Sequence, residues 1–181
     1  MYKLILLFTL ICCSLSYSQL SKPEKHKIVY TSNNNFELIV NKEKTFSNNP
    51  VILNRGLEVE INSFHGLYLF KRLSISIGVG LAYHISENIA ALPIVGEFRY
   101  HLNPHFYEGL YVSLNAGRNL QIGSFKSGSS AKLAIGYLFE SNSYFMYTIS
   151  FFAKSKEYTL NNTTNYNLQT LSIGVSTGIH F

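Results

Sequence analysis

The sequence predicts an all-β fold, an eight-stranded antiparallel up-and-down transmembrane barrel of the outer-membrane type. Three observations predict it. Charged residues make up 14% of the 181 residues against 46% hydrophobic ones, well below the roughly 25% charge of an ordinary soluble domain. Apolar residues alternate with small or polar ones along most of the chain, which is the period of a strand and not of a helix. The segments between alternating stretches fall into tight turns on one side and generally longer loops on the other, as barrels in an outer membrane arrange them.

The first residues belong to something else. In MYKLILLFTLICCSLSYS, residues 1–18, Lys3 precedes an apolar stretch over residues 4–12, and Ser16 and Ser18 supply the small positions of a cleavage site. This is the pattern of a secretory signal peptide, too short to span a membrane. Lipid attachment at Cys12 or Cys13 is disfavoured because Ile11 and Cys12 precede them, where small residues are required. Cleavage after Ser18 leaves a barrel domain over residues 19–181. Both cysteines go with the signal, so neither a disulfide nor a thiolate is available to the mature chain. Loss of Lys3 leaves 14 basic residues against 10 acidic ones.

The strands follow in order. The first lies within residues 27–42, KIVYTSNNNFELIVNK, where Asn33, Asn34 and Asn35 interrupt the alternation. The second, RGLEVEINSFHGLYLF over residues 55–70, loses phase at residues 63–65, where a bulge is expected. The third, LSISIGVGLAYH over residues 73–84, is the clearest. Leu73, Ile75, Ile77, Val79, Leu81 and Tyr83 form one row; Ser74, Ser76, Gly78, Gly80, Ala82 and His84 form the other. Residues 91–102, 109–120, 129–140 and 144–155 supply four more. The C-terminal stretch 171–181 supplies the eighth, with Val175, Thr177, Ile179 and Phe181 on one row. The tight turns are Lys71-Arg72, residues 103–108 and residues 141–143; the other connections are residues 43–54, 85–90, 121–128 and 156–167. Strands of this length fit a tilted membrane crossing of about 9–11 residues.

A soluble ligand-binding barrel is the rival architecture. Its outer row would face water and carry charge. The second row of residues 73–84 carries none, which suits a crowded lumen and not a solvent face.

Three stretches, GLYLFKRLSISIGVGLAYH (66–84), LPIVGEFRYHL (92–102) and LSIGVSTGIHF (171–181), resemble the small outer-membrane β-barrel proteins of Bacteroidota. The resemblance covers most of the mature sequence. It implies residence in the bacterial outer membrane and insertion by the barrel-assembly machinery, which reads an apolar alternating C-terminal strand ending in an aromatic. Val175, Ile179 and Phe181 match that signal, with Thr177 its weakest position. The family is functionally mixed, so the resemblance implies no activity.

Motifs that could carry chemistry are few. All 10 acidic residues are Glu, which removes aspartic dyads, EF-hand loops and most two-metal carboxylate sites. Gly174-Val175-Ser176-Thr177-Gly178 spells a nucleophile elbow, but only three residues follow and no helix can form. Gly78-Val79-Gly80 lacks the third glycine of a dinucleotide loop. His101 and His105 share helical spacing, which Pro104 spoils. A lipid-modifying hydrolase at the rim would draw on Ser63, His65, His84, Ser86 and Glu87. Basic residues are scattered, and nothing points to nucleic acid.

The expectation is a non-enzymatic barrel without cofactor or metal, structural or interacting within the envelope; a component of an envelope assembly or secretion system is the closest alternative. Its partners would be outer-membrane lipids and the assembly machinery. Lys42, Lys44, Arg118, Lys126, Lys154 and Lys156 are placed near the outer rim, where they would meet anionic lipid heads. Inside, the small row of the third strand leaves room for Phe64, Tyr68 and Phe70 to lean across. Glu58, Glu60, Glu97 and Arg99 are expected to pair around Arg99 and plug the lumen.

Overall fold

The structure is a computed structural model and describes residues 28–46, 56–70, 72–103, 108–120, 127–140, 145–161 and 166–181. The expected signal peptide lies outside the described residues. Eight strands follow one another: β1 (Ile28–Phe46), β2 (Gly56–Leu69), β3 (Leu73–His84), β4 (Ile89–His101), β5 (Gly109–Leu120), β6 (Gly128–Glu140), β7 (Met146–Asn161) and β8 (Tyr166–His180). Each pairs antiparallel with the next, and β8 returns to β1, so the sheet closes. Pairs traced around the ring leave β1 at Ile28 and come back to it at Leu38, ten residues further on. That stagger tilts the strands, by about 35–45° in barrels generally. Closure leaves no open sheet edge around the crossing, the condition for placing strands in lipid.

The burial alternation is inverted relative to a soluble barrel. Outward rows are apolar and exposed: Ile77 is 67% and Phe151 64% exposed. Inward rows are polar, with Glu37, Glu58 and His84 fully buried. A wall of exposed Leu, Ile, Val and Phe around a charged interior is stable in hydrocarbon and not in water. The soluble alternative fails on this point.

Several expectations need correction. β1 is unbroken over 19 residues. Asn33 and Asn35 sit on its inward row with Thr31, Glu37, Ile39 and Asn41, so the alternation that looked interrupted is polar-in, apolar-out. β2 carries no bulge at residues 63–65, where its register with β1 and β3 is continuous. Its phase weakened because Ser63 and His65 are polar residues on the outward row. Phe70 does not enter the lumen; it is 71% exposed in the β2–β3 turn with φ 51. The loop expected at 43–54 begins later, because β1 runs to Phe46, and the one expected at 156–167 begins later and ends sooner, because β7 runs to Asn161 and β8 starts at Tyr166. β1 still pairs β8 at Phe46 and Leu168, whereas β2 begins opposite Asn41. Strands β7, β8 and β1 therefore stand above the rest of the wall.

The small row of β3 does give its neighbour room. A Cβ on Gly78 would lie 2.5 Å from the Phe64 ring, which leans inward from β2. Gly78→Ile should therefore cost about 1–3 kcal/mol through overpacking, read as a lowered temperature of loss of the heat-resistant folded band. No change would mean that Phe64 has space elsewhere.

Candidate functional site

The lumen is built in layers set by the inward rows. At the end that carries the tight turns and Phe181, Tyr68, Leu138 and Met146 pack as an apolar seal. Beside it Arg99 donates from Nη2 to Glu97 Oε1 at 3.0 Å and lies 4.4 Å over the Tyr111 ring. Glu97 Oε2 accepts from Asn115 Nδ2 at 3.3 Å. His101 meets Tyr68 edge-on at 5.2 Å, and Thr31 hydrogen-bonds His180 Nε2 at 2.7 Å. Ile39, Ala134 and Phe152 form a further apolar cluster, against which a second ionic group packs, with Lys132 Nζ 5.2 Å from the Phe152 ring centroid.

That second group is the larger. Glu37 receives Lys132 at 2.5 Å and Lys154 at 2.9 Å, one on each carboxylate oxygen. Glu60 receives Lys154 at 2.8 Å and also Lys156, which reaches Glu58 as well. The acids stand on β1 and β2, and the bases on β6 and β7 across the barrel. Three carboxylates meet three ammonium groups, so the cluster is neutral. Each of these six side chains is at least nine-tenths buried. Above it, Asn41 donates to His84 Nε2 at 2.7 Å and accepts from Ser172. Ala82, Ile89, Ala91, Tyr158 and Leu168 then pack together at the loop end.

One cavity, lined by Glu37, Glu60, Asn62, Phe64, Lys132 and Lys154 among others, encloses about 10 Å³, room for a single water. Charges that close together must be paired, because an unpaired ion in a confined interior costs several kcal/mol. The arrangement ties opposite walls of the barrel together.

The charges expected to pair around Arg99 are divided differently. Arg99 pairs with Glu97 as expected. Glu58 and Glu60 do not approach it as partners; they take Lys154 and Lys156. Lys154 and Lys156, expected at the outer rim, are buried in the lumen instead. The strand β7 continues beyond residue 155, and its inward row runs Ser150, Phe152, Lys154, Lys156, Tyr158. Following that parity past the apolar residues would have found both, and following the Asn33 and Asn35 row would have found Glu37. Arg118 is outward and exposed near the loop end of β5, as placed. Lys126 lies outside the described residues, and only the backbone of Lys42 and Lys44 is described, within β1.

The hydrolase candidates separate into two groups. His84 faces the lumen at the loop end, where Glu87 N donates to its Nδ1 at 3.3 Å and Ser86 Oγ accepts from Leu57 N at 3.3 Å. Ser63 and His65 are on the outer wall of β2, with Ser63 Oγ 3.2 Å from His65 Nε2. Gly174, Ser176 and Gly178 are strand residues of β8. His101 is in the lumen, and His105 lies outside the described residues. No cluster of three or more metal-ligating side chains occurs among the described residues. Val175, Thr177 and Ile179 form the outward row of β8, and Phe181 exchanges backbone bonds with Ser32 of β1, N–H to O at 2.7 Å and the reverse at 3.1 Å.

No protein-family model matches the chain, and no curated protein matches it. Among solved structures, a de novo designed transmembrane β-barrel is similar over 81% of this chain and 94% of its own, at 14% identity and a TM-score of 0.36. That score is too low to add to the topology read directly above. The closed strand order, the apolar wall and the filled ionic interior define the class themselves: a transmembrane β-barrel.

Proposed function

We propose that this protein is a non-conducting barrel of a bacterial outer membrane, of the Bacteroidota type, whose role is structural or in envelope interactions and not catalytic. The observation that carries the reading is the neutral Glu37, Glu58, Glu60, Lys132, Lys154 and Lys156 cluster, buried in the lumen. A barrel whose interior is spent on pairing its own charges presents only its wall and its rims to other molecules. Insertion by the barrel-assembly machinery is supported by the outward row Val175, Ile179 and terminal Phe181 on the closing strand. Arg118, exposed at the loop end, is positioned to meet anionic lipid heads of the outer leaflet.

The test is conductance. The native protein in planar bilayers should show no open-channel current in salt, and liposomes containing it should exclude small sugars. A steady single-channel current from the folded wild type would overturn the closed-lumen reading. Fractionation into the outer membrane, resistant to high-salt washing, is the matching expectation for location; recovery in the aqueous fraction would contradict it.

A further inference from the structure

Among the described residues, the apolar outer wall carries a polar patch on β1 and β2. On β2, Ser63 and His65 face outward; on β1, Asn34 lies directly opposite Ser63, and Ser32 opposite His65. His65 is saturated within the barrel: Tyr30 OH is 2.5 Å from its Nδ1 and Ser63 Oγ 3.2 Å from its Nε2. Asn34 is not. It is part exposed, and among the described residues none hydrogen-bonds its side chain. The patch is bordered by apolar residues: Ile179 beside Asn34, Ile77 beside His65, Val79 beside Ser63. Ser63 stands at the middle of β2, and the patch runs from there toward the tight-turn end, where Ser32 meets Phe181.

An amide has two donor hydrogens and two acceptor sites, and hydrocarbon satisfies none of them. Apolar wall residues gain nothing by leaving lipid for protein, since both surfaces are apolar. Polar groups facing hydrocarbon do gain. We propose that this face, centred on Asn34, is the contact between two copies of the chain within the membrane. A second copy is the occupant the chemistry selects. The patch carries no fixed charge that would call for an opposite one. Asn34, Ser63 and the Tyr30–His65 pair combine donors and acceptors, so a two-fold axis through the patch sets each against a complementary group. Such an axis brings the two Asn34 amides together, where each can donate to the other.

The same Ser63–His65 spacing invites an esterase reading, and depth argues against it. Lipid ester groups lie at the interface, whereas Ser63 is at the centre of its strand. The dimer contact rests on the membrane-barrel reading of the chain but not on the closed lumen, so the conductance experiment leaves it untouched.

The test uses the full chain with Cys12 and Cys13 replaced by Ser, reconstituted in phosphatidylcholine vesicles. Asn34→Cys should form a disulfide-linked dimer on mild oxidation. Leu114→Cys, outward and 55% exposed on β5 at the far side of the barrel, should not. Asn34→Leu should keep the heat-resistant migration of a folded barrel while weakening association about tenfold, the scale of one interhelical-type polar contact in lipid. Equal crosslinking at both positions, or a folded wild type that stays monomeric at high protein-to-lipid ratio, would overturn the proposal. So would coupling of Asn34→Cys to a different protein in native membranes. Hydrolysis of phospholipid by the wild type that is lost in Ser63→Ala would reassign the patch to catalysis.

Discussion

Glu60→Gln should destabilise the barrel by about 3–5 kcal/mol, although the substitution changes neither the volume nor the shape of the side chain. Glu60 Oε2 accepts from both Lys154 and Lys156. Removing its charge leaves three ammonium groups against two carboxylates in a space that admits one water. Lys156 keeps Glu58 and Lys154 keeps Glu37, so neither is stripped, but the excess positive charge has nowhere to go. The second substitution Lys154→Met restores neutrality, leaves Glu37 with Lys132 and Glu58 with Lys156, and supplies an apolar chain of similar length. The double variant should therefore recover most of the loss, because a buried pair replaced by apolar side chains is often neutral or stabilising. Urea-dependent folding into vesicles measures both. A Glu60→Gln barrel as stable as wild type would show that water reaches the cluster and screens it.

Deleting Phe181 should remove the protein from the membrane almost completely, and Phe181→Ala separates the two reasons why. Deletion takes away the backbone pair with Ser32, so the last rung joining β8 to β1 is lost and the Ser32 N–H and C=O open toward lipid. Each unsatisfied group there costs several kcal/mol. Phe181→Ala keeps both backbone bonds and loses only the ring. If the aromatic is the residue that the assembly machinery reads, Phe181→Ala should fall at least tenfold in cellular membrane level yet refold into vesicles as wild type does. The deletion should fail in both assays. Wild-type membrane levels of Phe181→Ala would remove the recognition role and leave closure as the whole contribution of the residue.

The strand content was legible because alternation is a local property. In β3 every residue of the Leu73 and Ser74 rows falls on the face its polarity assigns, and β5 spans residues 109–120 as read. The pattern failed where polarity and face part company. Asn33 and Asn35 looked like an interruption only while an inward row was expected to be visibly distinct; in a polar lumen, asparagine is an ordinary inward residue. Ser63 and His65 suggest a bulge in the sequence because polar residues on the outward row break the phase of the alternation. The backbone runs straight through, and the two side chains stand on the outer wall.

By itself, then, the sequence determined the barrel class, the number of strands, the membrane-facing rows and the presence of buried charge, since each follows from period-2 patterning and composition. Which charges meet was decided only by the tertiary structure. Arg99 and Glu97 are two residues apart on one strand, and proximity in sequence was enough to pair them. Glu37 with Lys132, and Glu60 with Lys154 and Lys156, are about a hundred residues apart. They come together because closure with a stagger of ten sets the acids of β1 and β2 across from the bases of β6 and β7. Register around a ring is a property of all eight strands at once, and no single strand encodes it.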